Sequence, residues 1–166
     1  KLNIEAYHGL NRLIVSHADS VARIIYQPSF DNDIRQAIAA KPMAHYQVRP
    51  DMMARVVNVK GFLKDYPFTY QQDGAFAIAI QEDKYAPWNN GIYEVAIKDG
   101  QHSVEKVAHT QLPMLKASPQ RFVQMFMGYQ TIETMVFLEQ LAADDAAIAS
   151  IKYNLPTGKP ILEDYF

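Results

Sequence analysis

The chain has 166 residues, a formal net charge of -2, and a composition that is 49% hydrophobic and 20% charged, the profile of a folded protein with one ordinary core or two small half-domains. The near-neutral charge argues against a nucleic-acid surface, and no apolar run approaches the ~20 residues of a membrane span. The absence of cysteine excludes disulfides and thiolate metal sites and is compatible with a cytoplasmic protein.

The first residue is Lys1 rather than Met, so a fragment lacking its N-terminal portion is expected. Residues 5–19 predict a helix, with Tyr7, Leu10, Leu13, Ile14 and His17 at helical spacing. Val21 to Tyr26 predicts a strand stopped by Pro28. Asp31 or Asp33 can cap a short helix that runs to about Ala40 and ends at Lys41-Pro42. This front unit, residues 1–48, has too few apolar positions to form a core alone.

A second unit begins near Arg49-Pro50, with Met53 to Val59 predicted as a strand. Lys60 to Tyr66 follows as an amphipathic helix with Phe62, Leu63 and Tyr66 on one side. Ala75 to Ile80 is a buried β run, and Ile92 to Ile97 alternates cleanly after the Asn90-Gly91 turn signal. Asp99-Gly100 predicts a tight hairpin returning through His102 to His109. Ser118-Pro119 opens a helix with Phe122, Met125 and Phe126 on its buried face, and Gly128 stops it. A further helix is expected over about Thr131 to Leu141, and a last one from the Asp144-Asp145 cap to Tyr153. Three antiparallel strands followed by helices packed on one face make an α+β layout.

The final eight residues, Lys159 to Phe166, lack helical period and end on Tyr165 and Phe166. A free terminus is ordinarily a polar, frayed tail, so this aromatic pair predicts a docked tail that carries the terminal carboxylate inward.

Other chemistry finds little support. None of the five histidines forms an HxH, HxxH or HxxxH pair, so no metal is expected. Asp31-Asn32-Asp33 lacks the glycine and closing glutamate of a calcium loop. Gln71-Gln72-Asp73-Gly74-Ala75-Phe76 superficially matches an acetyl-CoA pyrophosphate loop, but Phe76 fills the last small position and a strand follows. There is no G-x-S-x-G and no nucleotide-binding glycine motif.

Three stretches carry a family likeness: Met52-Met53-Ala54-Arg55-Val56-Val57-Asn58-Val59, Ala86-Pro87-Trp88-Asn89-Asn90-Gly91-Ile92-Tyr93-Glu94-Val95, and the tail ending in Phe166. In order and spacing they resemble the C-terminal part of the Eis-like (enhanced intracellular survival) bacterial acetyltransferases of the GCN5-related superfamily. The resemblance implies a sterol-carrier-protein-like antiparallel sheet with helices on one face over residues 49–166. Before it, residues 1–48 would be a helix–strand–helix remnant, the end of a second, degenerate acetyltransferase-type fold.

The resemblance also implies transfer of acetyl from acetyl-CoA to an amine, with the carboxylate of Phe166 as general base, acting through a water. Tyr165 and Asn58 would line the acceptor pocket. Acetyl-CoA would be held by the N-terminal acetyltransferase domain of the same protein, leaving this portion inactive alone, and a homo-oligomer, commonly a hexamer, is implied. Where the family has Arg-x-x-Asp, this chain has Arg55-Val56-Val57-Asn58, which keeps a hydrogen-bonding amide but loses a charge that would attract polycations. Amine acetylation is therefore implied and aminoglycoside specificity is not. A plain alternative for Asn58 is a helix cap, and the alternative for the whole domain is a sterol-carrier-like module for a lipid or other apolar ligand.

Overall fold

The computed structural model describes residues 4–17, 19, 20, 22 and 53–158. The expected strand at Val21 to Tyr26, the helix to Ala40, the unit boundary at residue 48 and the tail from Lys159 lie outside the described residues. Helix α1 (Ile4–Ser16) stands where the apolar spacing put it. It ends as the Leu13 carbonyl accepts from both Ser16 Oγ and His17 Nδ1, each at 2.8 Å.

Residues 53–58 are not the expected strand; no strand pairs with them among the described residues. Their backbone groups bond to side chains instead: the Val56 and Val57 carbonyls accept from Asn89 Nδ2 and Trp88 Nε1. Over residues 53–59 only Val56 and Val59, three positions apart, are buried, and Met53 and Val57 are exposed. Helix α2 (Val59–Lys64) starts on the Asn58 cap, whose side chain accepts the Gly61 N–H at 2.9 Å.

Strands β1 (Gly74–Ile80), β2 (Gly91–Lys98) and β3 (Gln101–Val107) form the antiparallel meander that the alternation predicts. Asp99 and Gly100 have φ of 52° and 72°, the left-handed pair that a two-residue hairpin turn requires. Between β1 and β2 lies a 3-10 turn, Pro87–Asn89. Strand β4 (Met114–Ala117) pairs parallel with β1, and the two-residue β5 (Ala142–Ala143) pairs antiparallel with β4. The sheet order is β3-β2-β1-β4-β5, so the expected wholly antiparallel sheet is in fact mixed.

Helix α3 (Pro119–Phe126) has the Ser118 cap and first-turn proline read from the sequence. Helix α4 (Ile132–Phe137) is capped by Thr131 and shorter than expected; Leu138 terminates it, and Glu139 turns away at φ 54°. Helix α5 (Asp145–Lys152) follows Asp144.

Register places Phe76, Ile78 and Ile80 on one sheet face with Val95, Tyr93, Leu115 and Ala117. Against this face pack Leu63 of α2, Phe122 and Phe126 of α3, Met135 of α4 and Ile151 of α5. Rings interlock on and between α2 and α3: the centroids of Phe122 and Phe126 lie 4.5 Å apart, of Tyr66 and Phe126 4.9 Å, and of Phe62 and Phe122 5.7 Å. Each buried ring contributes about 1.5–3 kcal/mol by leaving water. The Tyr66 hydroxyl, desolvated by burial and so raised in pKa, donates to the Phe126 carbonyl at 2.7 Å and pins α2 to α3.

Candidate functional site

Asp83, Asn89 and Asn154 are the buried polar side chains among the described residues, and each ties together segments distant in sequence. Asp83 lies in the turn after β1, beside Glu82 at φ 60°. Its Oδ1 pairs with the Arg55 guanidinium and accepts the Ala86 N–H at 2.9 Å, while Oδ2 accepts from Asn89 Nδ2 at 3.2 Å. Its own N–H donates to Asn90 Oδ1 at 2.8 Å. Burial alone would raise the Asp83 pKa, but the Asn89 and Ala86 hydrogen bonds and the Arg55 charge outweigh it and hold the carboxyl below its ordinary value. With three donors around it, Asp83 is an ionised anchor with little capacity to take a substrate proton.

Asn89 completes the knot. Its Oδ1 accepts the Val59 N–H at 3.1 Å, Nδ2 also reaches the Val56 carbonyl at 3.3 Å, and its backbone carbonyl accepts the Tyr93 hydroxyl at 2.8 Å. Burial, then the nearby Asp83 charge, raises the Tyr93 pKa. Trp88 is 61% exposed yet held at both ends: Nε1 donates to the Val57 carbonyl at 2.8 Å, and its own carbonyl accepts Lys106 Nζ at 2.7 Å. Tyr85, also exposed, receives the Arg55 guanidinium over its ring at 5.5 Å. The described parts of two of the three sequence blocks, 53–59 and 86–95, therefore meet in space around Asp83.

Of the residues expected at the acceptor pocket, Asn58 alone falls among those described; Tyr165 and Phe166 lie outside them. Asn58 is exposed and caps α2, as its plain alternative held. The cap sits so close over Gly61 that a Cβ there would come within 2.9 Å of Asn58 Nδ2. Its neighbours Val57 and Val59 are bonded by Trp88 and Asn89, so the amide is carried on the rim of the knot.

The glycine-containing stretch does not fit the pyrophosphate of acetyl-CoA. Gly74 of the glycine-containing stretch opens strand β1 in register with Ile97, so no helix N-terminus presents free N–H groups there. No group of three or more His, Asp or Glu side chains among the described residues could hold a metal ion. His102 is fully engaged: Nδ1 accepts from the Tyr70 hydroxyl at 2.9 Å, and Nε2 donates toward the Leu63 and Lys64 carbonyls at 3.0 Å each. No helix of the described residues is long and apolar enough to cross a membrane.

Asn154, two residues past α5, ties the end of that helix to the segment before β1. Its Nδ2 donates to the Gln72 and Ser150 carbonyls at 2.9 Å each, and its Oδ1 accepts the Gln72 N–H at 3.4 Å. Its backbone carbonyl accepts the Thr69 N–H at 3.0 Å, and Thr69 Oγ1 donates to the Tyr153 carbonyl at 2.9 Å. Sequence reasoning missed Asp83 and Asn154 alike. The signal for Asp83 was its place just ahead of the polar block Pro87-Trp88-Asn89-Asn90; Asn154 offered none beyond its position after a helix.

A five-stranded mixed sheet with helices on one face defines an α+β domain of carrier-protein type. The sequence pattern of the sterol carrier protein domain matches residues 59–163, and the chain belongs to that family. Among solved structures it is similar to a protein of Enterococcus faecalis V583 described as a probable N-acyltransferase of unknown function. That match has 33% identity and a TM-score of 0.80, over 99% of this chain and 41% of the other. In fold it is similar to GCN5-related N-acetyltransferases from Anabaena variabilis and Kribbella flavida. These are 18% and 13% identical with TM-scores of 0.56 and 0.57, over 64% and 68% of this chain and 26% and 29% of theirs. The chain thus spans less than half the length of each. A search of the curated proteins gave no match.

Proposed function

We propose that this chain is the C-terminal portion of an Eis-like bacterial, cytoplasmic N-acetyltransferase, acting on an amine substrate within a homo-oligomer. The supporting observation is the 33% identity to the Enterococcus probable N-acyltransferase across 99% of this chain. Acetyl-CoA, bound by a preceding acetyltransferase-type domain, supplies the activated acyl group. The part played here is proton removal and substrate positioning. An amine attacks a thioester only when neutral, so a base must first take the ammonium proton. The carboxylate of Phe166 is that base, relayed by a water. Its reference pKa of about 3.5 is low for the task, and desolvation within the acceptor pocket would raise it. Asn58, on the rim of the Asp83 knot, and Tyr165 form one wall of the acceptor pocket.

The test compares the longer protein with and without Phe166, following acetyl transfer from acetyl-CoA to a panel of primary amines. Loss of the base is expected to lower turnover about 100-fold or more. Unchanged turnover would overturn the assignment.

Membership in the sterol carrier family favours a second reading, a module that holds an apolar ligand. The rings of Phe62, Tyr66, Phe122 and Phe126, packed on one another between α2 and α3, weigh against it, because they close that part of the core with ring-to-ring contacts. Fluorescent fatty-acyl binding separates the two: the acetyltransferase reading expects none, and saturable stoichiometric binding would favour the carrier.

A further inference from the structure

At the other end of α2 from the Asp83 knot, Tyr70 and His102 form a pair of different character. Helix α2 begins where Asn89 accepts the Val59 N–H and ends where His102 Nε2 lies 3.0 Å from both the Leu63 and Lys64 carbonyls. A carbonyl can only accept, so in the neutral imidazole Nε2 carries the proton and Nδ1 is left as a lone pair. The Tyr70 hydroxyl, 2.9 Å from Nδ1, therefore donates to it. The Phe68 ring packs edge-to-face on the imidazole, with centroids 4.9 Å apart.

The backbone that presents Tyr70 is held in an uncommon shape. Tyr70 has φ 51°, a left-handed conformation rare for a bulky side chain. It is imposed from both sides by the residues that follow α5. Before Tyr70, Thr69 is tied by its N–H to the Asn154 carbonyl at 3.0 Å and by Oγ1 to the Tyr153 carbonyl at 2.9 Å. After it, the Gln72 carbonyl and N–H bond to the Asn154 side chain at 2.9 and 3.4 Å. Strain of this kind persists only where the surroundings over-determine it, and functional sites are where it collects. The outcome here is a phenol bonded to an imidazole, on a residue that is still 37% exposed.

We propose that Tyr70 and His102 are a nucleophile–base pair that takes acyl groups from activated esters and thioesters, making Tyr70 a site of O-acylation. A hydroxyl, a base within hydrogen-bond reach of it and a third group that orients the base are the parts by which a weak oxygen nucleophile is activated. The Tyr70 oxygen bonds to the acyl carbon as its proton passes to His102 Nδ1. The Nε2–H stays on the Leu63 and Lys64 carbonyls, which stabilise the imidazolium so formed. The acyl carbonyl then re-forms, its bond to the thiolate or alkoxide breaks, and the Nδ1 proton leaves with that group. An ester on Tyr70 and a neutral imidazole remain. The step needs nothing from Phe166 or from a preceding domain, so it stands or falls independently of the acetyltransferase reading.

The probe is p-nitrophenyl acetate: release of nitrophenolate is followed by absorbance, and the acetylated tyrosines are located by peptide mass spectrometry. Tyr85 is the internal reference, because it is 86% exposed and the group over its ring is the Arg55 guanidinium, which is not a base. Tyr70 is expected to be acetylated about 100-fold faster than Tyr85 although it is the less exposed, the scale of general-base assistance by a positioned imidazole.

His102→Gln keeps an amide N–H for the two carbonyls and an amide oxygen for the Tyr70 hydroxyl, so the hydrogen bonds remain and the base is lost. The rate at Tyr70 is expected to fall about 100-fold, to that of Tyr85, with Tyr85 itself unchanged. Tyr70→Phe is expected to abolish the fast phase of nitrophenolate release. The parent protein decides the question even where the glutamine variant does not fold: equal acetylation of Tyr70 and Tyr85 overturns the proposal. So does a Tyr70 rate that His102→Gln leaves unchanged, which would assign the pair to fastening α2 against the loop before β1.

Discussion

Asp83 grips Arg55 across 28 positions of sequence, its carboxylate almost wholly buried and the guanidinium partly in water. The pair joins the segment before α2 to the turn after β1, which is how two remote sequence blocks come to share one surface. Changing Asp83→Asn keeps the shape but sets an amide N–H₂ against the donors of Asn89 or Arg55. The expected cost is about 2 kcal/mol, or roughly 4–8 °C in Tm, with thermal unfolding by circular dichroism as the measurement.

The same carboxylate gives a pH signature. Its folded pKa lies below the unfolded value of about 3.9, so the folded state binds fewer protons at this site. The stabilisation is fully present above the unfolded pKa and is lost as pH falls through the lower folded one. Urea midpoints of the parent protein are expected to drop as pH falls below the unfolded value of about 4, and the Asp83→Asn variant to show a flatter profile. Parallel profiles would show that other carboxylates govern acid unfolding.

Asn58 allows its two roles to be separated. As a cap it is replaceable by aspartate, which accepts the Gly61 N–H equally well and adds a favourable negative charge at the helix start. Asn58→Asp is expected to leave stability within about 0.5 kcal/mol, whereas Asn58→Ala loses about 1 kcal/mol. If Asn58 also lines the acceptor pocket, Asn58→Asp in the longer protein lowers KM for polycationic amines and leaves monoamines unchanged. A uniform response to both amine classes would assign it to capping alone.

What was legible in the sequence was local. The Asp99-Gly100 turn, the Ser118-Pro119 cap and the alternation of β2 each specify structure through neighbouring residues, and each stands where the sequence put it. Met53 to Val59 misled because its β-branched residues suit a strand, while its backbone partners are the side chains of residues some thirty positions away. Strand β4 is four residues long, and its pairing with β1 is long-range and parallel, so nothing local announced it. The site divides in the same way. Asn58 was visible as a cap, whereas Asp83 looks like any loop acid until Arg55 and Asn89 close around it.

Asn89 carries the tightest of these long-range dependencies. Removing its amide leaves the Val59 N–H and the Val56 carbonyl without that partner in a buried setting and takes one donor from Asp83. Asn89→Ala is expected to cost about 3 kcal/mol, more than the loss of any exposed side chain in the same turn. Hydrogen exchange provides the check: the Val59 amide should lose most of its protection.

Gly91 and Lys106 form a coupled pair whose energy a double-mutant cycle can isolate. Gly91 begins β2 at φ 142°, and the Lys106 side chain crosses it to reach the Trp88 carbonyl, so that a Cβ at 91 would lie 2.6 Å from Lys106 Cε. Gly91→Ala therefore carries two penalties, a strained backbone and a displaced lysine; the first is of order 1–3 kcal/mol. In a Lys106→Ala background the second penalty vanishes and the first remains. The cycle is expected to give a coupling of about 0.5–1 kcal/mol, with Gly91→Ala costing less when the lysine is absent. Tryptophan fluorescence should track the same event, since loss of the Lys106 contact frees one of the two bonds that hold the exposed Trp88 in place. Additive stabilities with unchanged emission would mean that the lysine yields without cost and that the backbone angle alone demands glycine.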